Sequence, residues 1–231
     1  MSARVAVFAS GGGTNLQALL DHFNRWESEV ARVVLVVSDR PGAGALDRAR
    51  DVGVAAHVVA VAGRAEEEVA RETLNLLEAF EVDLIALAGY LRLVPAAVVR
   101  RYEGRMLNIH PALLPAFGGK GMYGLRVHQA VIEAGCRVSG ATVHFVTEEY
   151  DRGPILIQWP VPVLAGDTPE TLAARVLRVE HRIYPAAVEA LARAVERGET
   201  VRATAAPGAL HFGLLDGEAP TEEEIRKVLG F

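Results

Sequence analysis

The chain has 231 residues, 51% of them hydrophobic and 23% charged; that supplies a buried core, argues against intrinsic disorder, and fits one large domain or one domain with a small appendage. Twenty-four basic residues against 29 acidic ones give a net charge of −5, which speaks against broad electrostatic capture of nucleic acid or an anionic membrane and leaves room for a local anion site. Cys136 is the only cysteine, so a disulfide framework and a multi-cysteine zinc site are excluded.

The longest apolar runs, such as 84–91, fall far short of the roughly 20 residues that span a bilayer. The apolar part of MSARVAVFAS is too short for a signal peptide. A soluble, cytoplasmic protein with no membrane partner is expected. Runs 5–9, 33–37, 84–88 and 106–109 are apolar on both faces, as strands of a parallel sheet covered on two sides are. Helical patterns lie between them at 16–23, 45–51 and 64–80, with a short one opened by Pro95. The alternation predicts an α/β, doubly wound fold, a mostly parallel sheet of about seven strands. From 125 the pattern changes: a helix over 125–133, then two extended runs, 141–146 and 155–163, joined by the turn Asp151-Arg152-Gly153-Pro154. These predict an antiparallel edge. Thr168-Pro169 opens a long helix as cap and first residue, and Pro185 is expected to break or kink it. The catalytic domain is placed at 1–198. The tail 199–231, with a short helix from Thr221 and a capping box completed by Glu224, is an extension and not a separate domain.

Two features carry chemistry. Ser10-Gly11-Gly12-Gly13-Thr14-Asn15 follows the first strand and opens the first helix, where free amides and the helix dipole hold an anion. No lysine follows the glycines, so it is not a Walker loop; a plain strand-to-helix turn is the other reading. Asn108 and His110 fall on one side of a strand that Pro111 ends. An amide and an imidazole side by side suit acyl transfer, one to stabilise an oxyanion and one to carry protons; a structural pair is the alternative. Asp151 reads either as a third member of that group or as a turn aspartate bonding its own backbone.

The segments SGGGTNLQALL, LAGYLRLV, LNIHPALLPAF, GATVHFVTEEYDRGPIL and EHRIYPAAV closely resemble phosphoribosylglycinamide formyltransferases, the folate-dependent enzymes that formylate glycinamide ribonucleotide in purine biosynthesis. The resemblance runs, with gaps, to about residue 197 and implies a formyltransferase-like fold. It implies Asn108, His110 and Asp151 as catalytic residues, and Gly13, Thr14 and Asn15 as the holders of the substrate phosphate. Glu180 would contact the glycinamide end. Leu91, Arg92, Leu93 and Val94 would line the pterin pocket, with Asn108, His144 and Arg64 also facing folate. Read from the residues alone, His144 is a solvent-side strand histidine, Arg92 a salt-bridging surface arginine and Glu180 an exposed helix charge. The implied co-substrate is 10-formyltetrahydrofolate and the implied partners are small molecules, with no metal and no nucleic acid; a homodimer is left open. Asp151 beside His110 is expected to raise the imidazole pKa.

Gly118 to Gly124 form a glycine-rich stretch longer than the loop of the best-known family members, read as a flap near the site or a solvated surface loop. Methionyl-tRNA formyltransferase would need a basic domain after the catalytic one and an arginine-rich stretch where this chain has glycines. A formyltetrahydrofolate hydrolase has no use for the phosphate loop and usually carries a preceding regulatory domain. A folate- or nucleotide-binding protein without catalysis would lack one of the three catalytic positions.

Overall fold

The computed structural model describes residues 2–25, 28–199 and 221–229. Along the chain run β1 (Ala3–Phe8), α1 (Thr14–Phe23), β2 (Ala31–Ser38), α2 (Gly44–Asp51), β3 (Ala55–Val58), α3 (Glu66–Ala79) and β4 (Leu84–Leu87). They are followed by α4 (Ala96–Arg101), β5 (Met106–His110), α5 (Leu125–Glu133), β6 (Val138–Phe145), β7 (Ile155–Pro162), α6 (Pro169–Glu196) and α7 (Glu222–Leu229). The sheet has seven strands in the order β3-β2-β1-β4-β5-β6-β7. The first five pair in parallel, and β6 and β7 join antiparallel. The expected architecture is therefore present, antiparallel edge included.

Alternation along the strands divides the core in two. Val5, Val7, Leu84, Ala86, Leu107 and Ile109 face the layer of α1 and α6, whereas Ala6, Phe8, Leu35, Val37, Ile85 and Met106 face the α3 and α4 side. Each fully buried aliphatic side chain contributes about 1.5–3 kcal/mol, and covering both faces leaves no position in 5–8 of β1 or in β4 where a polar residue is cheap. That is why the central strands are legible as unbroken apolar runs. β3 carries no such run: its four residues are half-buried or exposed, and the sequence reading did not locate it.

The chain goes outward from β1 to β2 and β3, then returns to place β4 on the other side of β1. Such a reversal opens a crevice at the strand carboxyl ends, and β1, β4 and β5 all deliver loops there. Helix α6 seals the crevice from below. Its Tyr184 hydroxyl lies 2.8 Å from the Leu87 carbonyl and 3.2 Å from that of Leu107, and the ring is fully buried. The helix begins as predicted, with Thr168 and Thr171 in a reciprocal capping box. It does not break at Pro185 but runs 28 residues without interruption. An interior proline costs about 3 kcal/mol; the buried stripe Val176, Val179, Ile183, Tyr184, Val188 and Leu191 on both sides of it offsets that cost.

Most of the predicted tail, 200–220, lies outside the described residues. Beyond it Thr221 and Glu224 cap α7 reciprocally, at 2.8 and 3.2 Å, and Ile225 is 2% exposed within the core cluster that includes α6. No helix among the described residues is long and apolar enough to cross a membrane.

Candidate active site

The loop between β1 and α1 is shaped by Gly13. Its φ is +74°, and a Cβ there would stand 2.8 Å from the Ala45 Cα, so only glycine fits. Two carbonyls of the loop bond to α2: Gly11 accepts from the Ala45 amide and Gly12 from Arg48 Nε. Helix α1 starts with no side-chain cap, which leaves its first amides to a ligand or water. Asn15, in the first turn, donates from Nδ2 to Glu180 Oε2 at 2.6 Å, while its buried Oδ1 has no partner. Glu180 is not the exposed helix charge that residue type alone suggests. It is 6% exposed, and burial, only partly opposed by the Asn15 bond, pushes its carboxyl above the usual range.

The end of β5 aims Asn108 and His110 to one side, and β6 pairs antiparallel so that His144 stands opposite Asn108. Asp151 comes to the same point from the turn after β6. Its φ is +54°, the left-handed region that a short polar side chain tolerates, so it is indeed a turn residue. Its carboxylate, however, does not bond its own backbone. Oδ2 accepts from the Gly119 amide at 2.7 Å and Oδ1 from Asn108 Nδ2 at 3.4 Å; His110 Nδ1 is 3.6 Å from Oδ2 and His144 Nε2 3.5 Å from Oδ1.

The partners fix the hydrogens. The Phe117 carbonyl can only accept, so His110 Nε2, 2.8 Å away, carries the hydrogen in the neutral ring and Nδ1 turns its lone pair toward Asp151. His144 Nδ1 likewise donates to its neighbour Phe145's carbonyl, and Nε2 accepts from Asn108 Nδ2 at 3.0 Å. Both amide hydrogens of Asn108 are thereby directed at His144 and Asp151. Burial would raise the Asp151 carboxyl, yet the His144 contact, the nearby His110 and the Gly119 amide outweigh it and hold it below the usual range.

The expected rise of the His110 pKa is not what the surroundings produce. The ring is 3% exposed, and the loss of hydration pulls its pKa down by more than Asp151 and the Phe117 carbonyl push it up. His110 is therefore neutral at rest, with a carboxylate placed to stabilise the imidazolium once a proton arrives.

These groups line one cavity of about 840 Å³. Thr14, Asn15 and Glu180 lie along it, as do Leu91, Arg92, Leu93 and Val94; Asn108, His110, His144 and Asp151 complete the set. Gly13, next to Thr14 in the chain, is not among the lining residues. Arg64 does not line the cavity: it is held at the start of α3 by the Ala60 carbonyl and Glu72, at 3.0 and 2.6 Å. The Arg92 of the surface reading does form a salt bridge, 2.9 Å to Asp39, while also facing the cavity. His144, 2% exposed, is not on the solvent side.

Residues 3–188 match the family model described as formyl transferase. The chain belongs to the formyl transferase family. The chloroplastic phosphoribosylglycinamide formyltransferase of Arabidopsis thaliana is 47% identical over 191 residues, which are 81% of this chain and 65% of that relative's own length. The crystal structure of glycinamide ribonucleotide transformylase 1 from Symbiobacterium toebii superposes with a TM-score of 0.77 at 44% identity, covering 83% of this chain and 88% of that one. A formyltetrahydrofolate deformylase from Pseudomonas syringae pv. tomato has the same fold at 26% identity, with a TM-score of 0.74 over 84% of this chain and 62% of that one.

In this member of the formyl transferase family, three groups at the site escaped the sequence reading. The Phe117 carbonyl and the Gly119 amide are backbone groups, signalled only by the glycine-rich stretch, which packs onto the site. His128 on α5 lines the cavity 4% exposed, its Nδ1 without a partner, and burial lowers its pKa to about 4. Its place beside Val127 on the buried side of a predicted helix was the available signal.

Proposed function

We propose that the protein transfers the formyl group of 10-formyltetrahydrofolate to the amine of glycinamide ribonucleotide in purine biosynthesis. The observation that carries this is the joining in one cavity of an uncapped helix start, the apolar run Leu91 to Val94, and the Asn108, His110 and Asp151 group. The volume suits small molecules held by apolar walls and a few placed polar groups. The amides of Gly13, Thr14 and Asn15 would take the phosphate. The free Oδ1 of Asn15 and the second oxygen of Glu180 would accept from N–H or O–H groups toward the glycinamide end. Leu91 to Val94 would hold the pterin, with Arg92 and His144 on the folate side; the placement of Arg64 gives no support to its part in folate binding.

The substrate amine attacks the formyl carbon, giving a tetrahedral intermediate with a negative oxygen and a positive nitrogen. The Asn108 hydrogen on its longer bond, the one to Asp151, is the one to turn toward that oxygen. Neutral His110 accepts the nitrogen's proton on Nδ1, and Asp151 stabilises the imidazolium so formed. The same proton then goes to the leaving folate nitrogen as its bond to the formyl carbon breaks. Proton and electron pairs balance, and no step needs a metal or a covalent enzyme intermediate.

The test is folate deformylation by the full chain with 10-formyltetrahydrofolate, with and without glycinamide ribonucleotide. Release that requires the ribonucleotide and yields the formylated product is expected. Release independent of it identifies a hydrolase and overturns the proposal.

A further inference from the structure

One carboxylate outside the reacting group ties together two of the segments that wall the cavity, the loop after β1 and residues 89–94. Asp39 follows β2, and its side chain is 1% exposed. Arg92 Nε donates to its Oδ2 at 2.9 Å, and Arg40 Nε stands 3.5 Å from Oδ1. Ser10, at the exit of β1, adds its hydroxyl. Burial works to raise the Asp39 carboxyl, and Ser10 with the two arginines outweighs it and holds the group ionised. Ser10 in turn grips the segment after β4: its amide donates to the Gly89 carbonyl at 3.0 Å, and its Oγ accepts from the Leu91 amide at 2.9 Å.

Residues 89–94 belong to no helix or strand, and Leu91 and Leu93 are exposed at 36% and 45% along the cavity. Val94 is buried in the core and the Tyr90 ring packs edge-on against Phe8, which leaves Leu91, Arg92 and Leu93 between them without apolar anchorage. The segment's described polar ties lead to Ser10 and Asp39. An ionised carboxylate taken almost wholly out of water is costly, and at this place its return is the fixed position of Arg92 and Leu91.

We propose that Asp39 is a positioning residue for the folate side of the cavity, holding Arg92 and Ser10 so that residues 89–94 present one preformed surface. The inference rests on the formyl transfer reading. Asp39 touches no reacting atom, and its effect falls on one substrate: the amides at the start of α1 are shaped by Gly13, Ala45 and Arg48, none of which involves Asp39. A surface held in its binding shape saves the ligand the cost of ordering it.

The test is titration calorimetry of the full chain with two probes separately, an unreactive folate analogue with carbon in place of N10 and glycinamide ribonucleotide. In Asp39→Asn, which is isosteric and keeps one acceptor for Arg92, the analogue's Kd rises about tenfold while the ribonucleotide's stays within about twofold. Ser10→Ala moves the analogue's Kd in the same direction, and peptide hydrogen exchange over 89–94 quickens in both variants without ligand. Equal weakening of both probes marks a merely structural role and overturns the inference. So does an unchanged analogue Kd with unchanged exchange. A wild-type chain that binds the ribonucleotide and not the analogue overturns the formyl transfer reading, and this inference with it.

Discussion

Replacing Asp151 by Asn tests the catalytic geometry most directly. The change removes one charge and keeps the shape. Asn accepts the backbone conformation at φ +54°, and its Oδ1 can still take the Gly119 amide. What goes is the carboxylate 3.6 Å from His110 Nδ1. At an effective dielectric of about 20, two unit charges at that separation attract by about 4–5 kcal/mol. The amide oxygen that keeps the Gly119 bond also faces Nδ1, and its partial negative charge returns part of this, so about 2–3 kcal/mol of imidazolium stabilisation is lost, on the order of a hundredfold in turnover. The pH sign follows from the resting state. His110 is already below its ordinary pKa, and losing Asp151 pulls it lower, so the acid limb of the rate profile moves to lower pH while the plateau falls. The assay is turnover at saturating substrates from pH 4.5 to 9, with the melting temperature measured alongside. Turnover within about threefold of wild type across that range would remove Asp151 from the mechanism. A large drop in melting temperature with an unmoved acid limb would return it to the role of a turn residue.

Substituting Gly13 with Val forces a β-branched residue into φ +74° and against Ala45, and is expected to raise the ribonucleotide KM at least tenfold with little change in folate-analogue affinity; Gly12→Ala, whose Cβ meets nothing within 4 Å, changes neither by more than about threefold. Steady-state kinetics on both variants would expose an error if folate affinity fell equally. His128 gives a stability signature: its pKa in the fold is about 4, so the unfolded chain binds the extra proton, and stability declines as pH falls from about 6.5 toward 4, by on the order of 3 kcal/mol. Urea unfolding of His128→Phe should show a flatter dependence over that window, and an unchanged slope would contradict the burial argument. The ionised Glu189 runs the other way in origin and the same way in pH: its bond with His22, helped by Arg193, holds it near 2, so its contribution is full above about 4.5 and is lost as pH falls through 2, which Glu189→Gln should abolish.

The sheet was legible because burial on two faces leaves a one-dimensional trace: β1, β2, β4 and β5 each carry a run of buried apolar residues, interrupted by buried polar groups only at the carboxyl ends of β2 and β5, at Ser38 and His110. β3, short and half-exposed, left none. The start of α6 was written locally in Thr168 and Pro169, but its passage through Pro185 was not, since packing against the whole sheet decides whether a missing hydrogen bond ends a helix. The glycine loop, Asn108 and His110 could be read from residue type and strand alternation, each being a local constraint. Tertiary structure alone decided what surrounds them. Residue type makes Glu180 and His144 surface groups; the sheet and α6 bury both. Charge pairing predicts a raised His110 pKa from Asp151, and the near-complete loss of hydration reverses it. A pair of groups can be named from sequence, but desolvation depends on every atom that excludes water from them. That quantity exists only once the chain is folded.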